Sequence, residues 1–161
     1  MDTELAEQKP CGKNDPSDHV VQTITSVIEE EQKRQIAHAK TVMEEFYRKA
    51  DKHNDGVKLS KQFKLRPIIR ETASGASIQW RHWKPRNVQG KVRVFSYNIN
   101  KPRDQKKYDI NKLRKFCRND EELEMAMEAE REFEKVRTNL EYLGNLKRSC
   151  SIYKRYKCNL T

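Results

Sequence analysis

No run of apolar residues in this sequence approaches the roughly 20 that a bilayer-crossing helix needs, so no membrane span is expected. The first 20 residues are polar and acidic and lack the apolar stretch of a secretory leader, so a cytoplasmic protein is expected. The four cysteines, Cys11, Cys117, Cys150 and Cys158, stand apart, with no Cys-x-x-Cys pair and no Cys/His grouping at zinc spacing. They read as thiols in a reducing compartment, not as a disulfide frame or a metal site. Neither G-x-x-x-x-G-K-[ST] nor G-x-G-x-x-G occurs, so the usual phosphate cradles are missing. Only 35% of residues are hydrophobic against 36% charged, and the mean hydropathy is −1.08. A deep apolar-lined pocket is therefore not expected, and neither is an enzyme or a bound cofactor.

Acidic residues are nearly absent from one stretch. The net charge of the chain is +10. Residues 1–56 carry net −4 and residues 119–161 net −1, whereas residues 57–118 hold 18 basic and 3 acidic residues, net +15. Only Glu71, Asp104 and Asp109 interrupt that excess. A local basic segment between near-neutral flanks implies a polyanion-binding head on a scaffold.

A chain of 161 residues predicts one domain. Residues 1–17, with Pro10, Gly12, Asn14, Asp15 and Pro16, bury too little to repay ordering and read as a disordered arm. From Asp18 to Asn54 there is neither Gly nor Pro, and apolar residues recur at steps of three and four from Val20 to Ala50. That spacing predicts one long helix over 18–54 with one apolar stripe. The stripe is interrupted at Glu29–Glu31, where the seam frays or meets a basic partner. Asp51-Lys52-His53-Asn54-Asp55-Gly56 has the outline of a calcium loop, but His53 and Gln62 stand where oxygen ligands are required, so it reads as a helix stop.

Residues 57–102 read as a β head. Ser77–Trp83 alternates as a strand, with Ile78, Trp80 and His82 on one face and Gln79, Arg81 and Trp83 on the other. Lys91–Ile99 reads as its hairpin partner, with an apparent change of face between Val94 and Phe95 that implies a bulge or a strand covered on both sides. Lys84–Gly90, containing Pro85, reads as a loop longer than a two-residue turn. Lys64–Arg70 reads as a third strand, placed at the edge by Pro67. A short helix is expected over 109–118, and a second long helix over 120–157, capped by Asn119–Asp120. The second stripe runs through Leu123, Met127, Glu130, Phe133, Val136, Leu140, Leu143 and Leu146, and residues 158–161 form a tail.

The expected fold is thus α+β: a long antiparallel, coiled-coil-like helical hairpin with a small antiparallel sheet of two or three strands inserted between the helices. Pairing of the stripes between two chains, as a homodimer, is the alternative.

The candidate polyanion contacts are Arg66, Arg70, Arg81, Trp83, Lys84, Arg86, Lys91, Arg93, Lys101, Arg103, Lys106 and Lys107. Their charges supply affinity for nucleic acid through counterion release. Trp80, Trp83, Phe95 and Tyr97 divide between the core of the sheet and stacking on bases. A two-stranded ribbon of this kind fits the major groove of double-stranded DNA. His82 has no Ser, Cys or acid at a triad spacing and reads as a packing or phosphate-contacting residue. Glu124 and Glu128, one turn apart beside Arg131 and Lys135, read as a solvated helix face, not a two-metal nuclease site. No catalytic, cofactor or metal residue is assigned.

Two segments carry a family resemblance: Ile78-Gln79-Trp80-Arg81-His82-Trp83, and the helix from Glu122 through Phe133 to Arg137. With the order long helix, sheet, short basic helix, long helix, residues 20–148 resemble the MobI-type conjugative transfer proteins. The resemblance implies an accessory protein that binds DNA at an origin of transfer and helps assemble the relaxosome, with a relaxase or another transfer protein as partner. It carries no catalytic residues to this chain. An adaptor or transcriptional regulator that offers its basic face to an acidic partner, or to DNA elsewhere, is the alternative.

Overall fold

The computed structural model describes residues 16–72, 75–102 and 105–158. It is an α+β fold. In chain order it has α1 (Pro16–Asn54), β1 (Leu65–Thr72), β2 (Gly75–Val88), β3 (Lys91–Asn98), α2 (Ile110–Arg114) and α3 (Asp120–Cys158), with one 3-10 turn at Leu59–Lys61. Most of the arm expected over 1–17, and residues 159–161 of the expected tail, lie outside the described residues. Pro16 and Ser17, expected in that arm, belong to α1 instead. A proline suits the first turn of a helix, where its missing N–H would have no partner anyway. Gly56, at φ 67, ends α1.

The two 39-residue helices lie against each other and run in opposite directions. Glu29 meets Lys147 at 2.6 Å, Gln35 meets Asn139 at 3.2 Å and Lys49 meets Glu128 at 3.0 Å. The triplet Glu29–Glu31 does not fray the seam: Ile28 and Gln32 are buried on either side of it. Ile28, Ala39, Phe46 and Ala50 of α1 are buried, as are Leu123, Ala126, Phe133, Val136 and Leu140 of α3. Each large aliphatic or aromatic side chain removed from water adds about 1.5–3 kcal/mol, which lets a lean composition hold two long helices together. The expected single stripe on α1 is incorrect at its start: Val20, Ile24 and Val27 are exposed.

The sheet order is β1-β2-β3, all antiparallel. Pro67 lies on the edge strand β1, as its lack of a donor requires. The two pairings are offset along β2. β1 pairs with residues 75–82 of β2, and β3 pairs with residues 81–88. The β2–β3 hairpin therefore runs on past the end of β1 as a two-stranded ribbon. Its tip is tight: Val88 pairs with Lys91, and Gln89 (φ 52) and Gly90 (φ 79) make a two-residue turn. The longer loop expected over 84–90 is absent. Pro85 belongs to the strand because Trp83, two residues earlier, donates its N–H to Lys64 on the β1 side at 2.8 Å. The Pro85 nitrogen points the same way, where β1 has ended. There is also no bulge. The β2–β3 register is continuous from Val88↔Lys91 to Arg81↔Asn98, and residues 91–96 are exposed on both faces.

Two buried glutamates fasten the sheet to α3. Glu122 accepts from the backbone N–H groups of Lys64, Leu65 (2.6 Å) and Arg118. Glu130 accepts from Trp80 Nε1 (2.7 Å), the Tyr108 N–H (2.7 Å) and both Arg137 nitrogens (2.8 and 3.0 Å). Full hydrogen bonding is what makes burying these charges tolerable. α2 is shorter than the stretch expected over 109–118. Asp109 caps its start through Asn111 N–H, and the chain turns after Leu113 so that Asn119 can cap α3 through Glu122 N–H at 2.9 Å.

Candidate nucleic-acid interface

Directly opposed residues in an antiparallel pair share a face. One face of the ribbon therefore carries Lys84 opposite Phe95, Arg86 opposite Arg93, and Val88 opposite Lys91. The other carries Trp83 opposite Ser96, Pro85 opposite Val94, and Asn87 opposite Val92. The first face is cationic, and the second is largely apolar. Lys84, Arg86, Lys91 and Arg93 are all exposed. Among the described residues none of the four has a carboxylate partner, whereas nine ion pairs to Lys or Arg are formed elsewhere in the fold. Like charges set directly opposite each other destabilise a sheet, so the Arg86–Arg93 pair lowers stability where no packing requires it. The Arg86 guanidinium lies 5.9 Å from the Phe95 ring centre and 5.4 Å from that of Tyr97, which holds it on the cationic face.

The four aromatic candidates separate cleanly. Trp80 is 0% exposed and packs edge-on between Phe46 (5.2 Å) and Phe133 (5.9 Å), so it is core. Trp83 (43%) and Phe95 (38%) are exposed on opposite faces of the ribbon. Tyr97 is half-buried and stacks on His82 at 5.3 Å. His82 is packed on its other side by Phe116 at 4.5 Å. Burial lowers the His82 pKa from its ordinary value, and the nearby charges of Lys84 and Lys64 add to that. Its Nδ1 is buried without a partner among the described residues. His82 is thus a packing residue at the root of the ribbon.

The other candidates lie elsewhere. Arg66 pairs with Asp51 at 3.2 Å and sits between the Tyr47 and Trp83 rings. Arg70 is exposed on edge strand β1. Arg81 donates to Asn98 Oδ1 at 2.6 Å. Lys101 bonds to the carbonyls of Pro102 and Gln105 within its own loop, and Lys106 pairs with Glu141 at 2.5 Å. Lys107 is exposed on that loop, and Arg103 lies outside the described residues. Of the candidate set, the ribbon brings together Trp83, Lys84, Arg86, Lys91 and Arg93. Other basic residues, which strand patterning does not reveal, lie beside its root. The Phe116–His82 stack brings the end of α2 against the root of the cationic face, and Arg114, Lys115 and Arg118, all exposed, flank Phe116. The run Lys112-x-Arg114-Lys115-x-x-Arg118 is the signal in the sequence that marks them.

Burial pushes the Cys117 thiol up to about 12, with the Glu122 charge adding to it, so it stays protonated and unreactive. No group of three His, Cys, Asp or Glu side chains suited to a metal ion occurs among the described residues. No helix among them is long and apolar enough to cross a membrane.

Compared with known families, residues 36–151 match the family described as MobI protein. The chain belongs to the MobI family. MobI membership points to a role in conjugative mobilisation, and the match spans α1 from Ile36, the whole described sheet and ribbon, and most of α3. No curated protein and no solved structure matches the chain.

Proposed function

We propose that this MobI protein is a non-catalytic, cytoplasmic DNA-binding accessory factor that acts at an origin of transfer and helps assemble the relaxosome. The observation that carries this reading is the ribbon, an exposed arm whose cationic face holds Arg86 directly opposite Arg93, with Lys84 and Lys91 beside them and no acidic partners among the described residues. A two-stranded ribbon fits the roughly 12 Å width of the major groove of B-DNA. Arg114, Lys115 and Arg118 at its root would lie over the flanking phosphates. The paired long helices act as a coiled-coil-like hairpin that holds the head and offers a surface to a relaxase or another transfer protein.

The test is a fluorescence-anisotropy titration against duplex and single-stranded DNA at several salt concentrations. If the four ribbon cations each neutralise one phosphate, log K falls against log salt with a slope of roughly −3.6 from the ribbon alone. Duplex is bound more tightly than single strand. Absence of binding, or binding indifferent to salt, contradicts the proposal. A second reading, a protein-docking adaptor, is favoured by the exposed Trp83, Val92 and Val94 on the opposite face of the ribbon. A partner captured equally well after nuclease treatment would support that reading.

A further inference from the structure

The apolar residues of α1 do not follow one face. Ile28, Ala39, Phe46 and Ala50 are buried, but Val20, Ile24 and Val27 stand about a quarter-turn aside at 100° per residue. They occupy the side of α1 opposite Lys40 and Tyr47, which reach Glu71 and Pro67 of β1. On α3, Tyr142, Leu146, Tyr153 and Tyr156 recur at steps of four, seven and three, on the side turned away from Glu130 and Arg137. Both stripes thus face away from the sheet. Leu146, Tyr153 and Tyr156 also lie level with the stripe of α1, and Tyr142 continues it toward the sheet. Val21 and Thr25 share a cleft with Cys150 and Lys154, and Glu29 pairs with Lys147. All seven side chains are between 45% and 64% exposed.

We propose that this patch, at the end of the helix pair remote from the ribbon, is a self-association surface. Two copies pack through it face to face about a two-fold axis and form a short four-helix bundle. The seven side chains expose on the order of 800 Å² per copy, which is the size of a standard protein–protein interface and more than the largest patch of a typical monomer. None of the seven side chains is charged, and Glu31 and Arg34, which follow on this side of α1, are paired with each other. Nearer the sheet the same side turns polar, with Lys49–Glu128, His38–Glu132 and Gln35–Asn139 already paired across the seam. Overlap along that polar stretch would bury charged groups, so the copies overlap only at their far ends. The basic ribbons then lie at the two ends of the dimer. This inference is independent of what the ribbon binds.

The experiment is a solution mass measurement on the full chain at micromolar concentration. The expected mass is twice 19.2 kDa. Ile24→Glu with Tyr153→Glu, and separately Val27→Lys, should each return the mass to that of one chain with helical circular dichroism retained. Lys135→Glu, in the polar stretch of the same side, should leave the dimer intact. A wild-type mass of one chain overturns the proposal. So does a mass that stays doubled in folded patch variants. A chain that doubles only after residues 2–15 are deleted also overturns it, because its own N-terminus would then be covering the patch.

Discussion

Glu130 sits where the spacing of α3 requires an apolar residue. It fills that position as a carboxylate that joins Trp80, Tyr108 and Arg137 in one buried network. The periodicity reveals that position 130 faces inward, but a period carries no information about partners 50 residues away. Glu130→Gln keeps an acceptor for Trp80 but leaves the buried Arg137 charge without its carboxylate. The expected loss is about 3–5 kcal/mol of stability, read by urea unfolding. A loss below about 1 kcal/mol would show the network to be dispensable. His82 illustrates the same limit. Its strand position was legible, but its packing between Tyr97 and Phe116 depends on α2, which the strand pattern does not report. Its pKa in the fold is lowered below the usual 6.5 because burial disfavours the charged ring. The unfolded chain therefore binds the extra proton first, so this contribution is complete above pH 6.5 and is lost as the pH falls below it. His82→Phe keeps the stacking and removes that proton. Unfolding of the variant at about pH 7.5 and 5.5 should show a smaller fall in stability than wild type, and an equal fall would contradict the assignment.

The elements themselves were largely legible. Apolar steps of three and four mark α1 and α3, alternation marks Ser77–Trp83, and Pro67 marks an edge strand. The ribbon was not. Pro85 and Gly90 read as loop residues because a proline interrupts any strand with neighbours on both sides. Only the offset between the two pairings, a tertiary fact, leaves Pro85 facing an unoccupied edge. The turn then rests on backbone conformation. Gly90 adopts φ 79, and a side chain there would meet nothing within 4 Å. Gly90→Val thus adds strain without a clash. Because the ribbon lies outside the core, the substitution should leave the main unfolding transition in place and speed amide exchange across residues 83–98. Unchanged exchange there would show that the turn does not hold the ribbon.

At the scale of the whole molecule, the +15 of residues 57–118 is divided by the fold. Some of it is spent in ion pairs such as Arg66–Asp51 and Lys106–Glu141, and some is left bare on the ribbon and at the end of α2. Composition located the basic third of the chain, but only the strand register separates the cations that ion pairs use from those exposed on the ribbon. The self-associating far ends would give each assembly two such heads. The most direct measurement is duplex-DNA affinity of Arg86→Ala with Arg93→Ala across a salt series, alongside thermal unfolding. Those side chains face solvent and repel each other, so unfolding should be unchanged or slightly delayed, while the salt slope falls by about 1.8 and affinity drops. Unchanged affinity and slope in the folded variant would contradict the ribbon as the DNA-binding element.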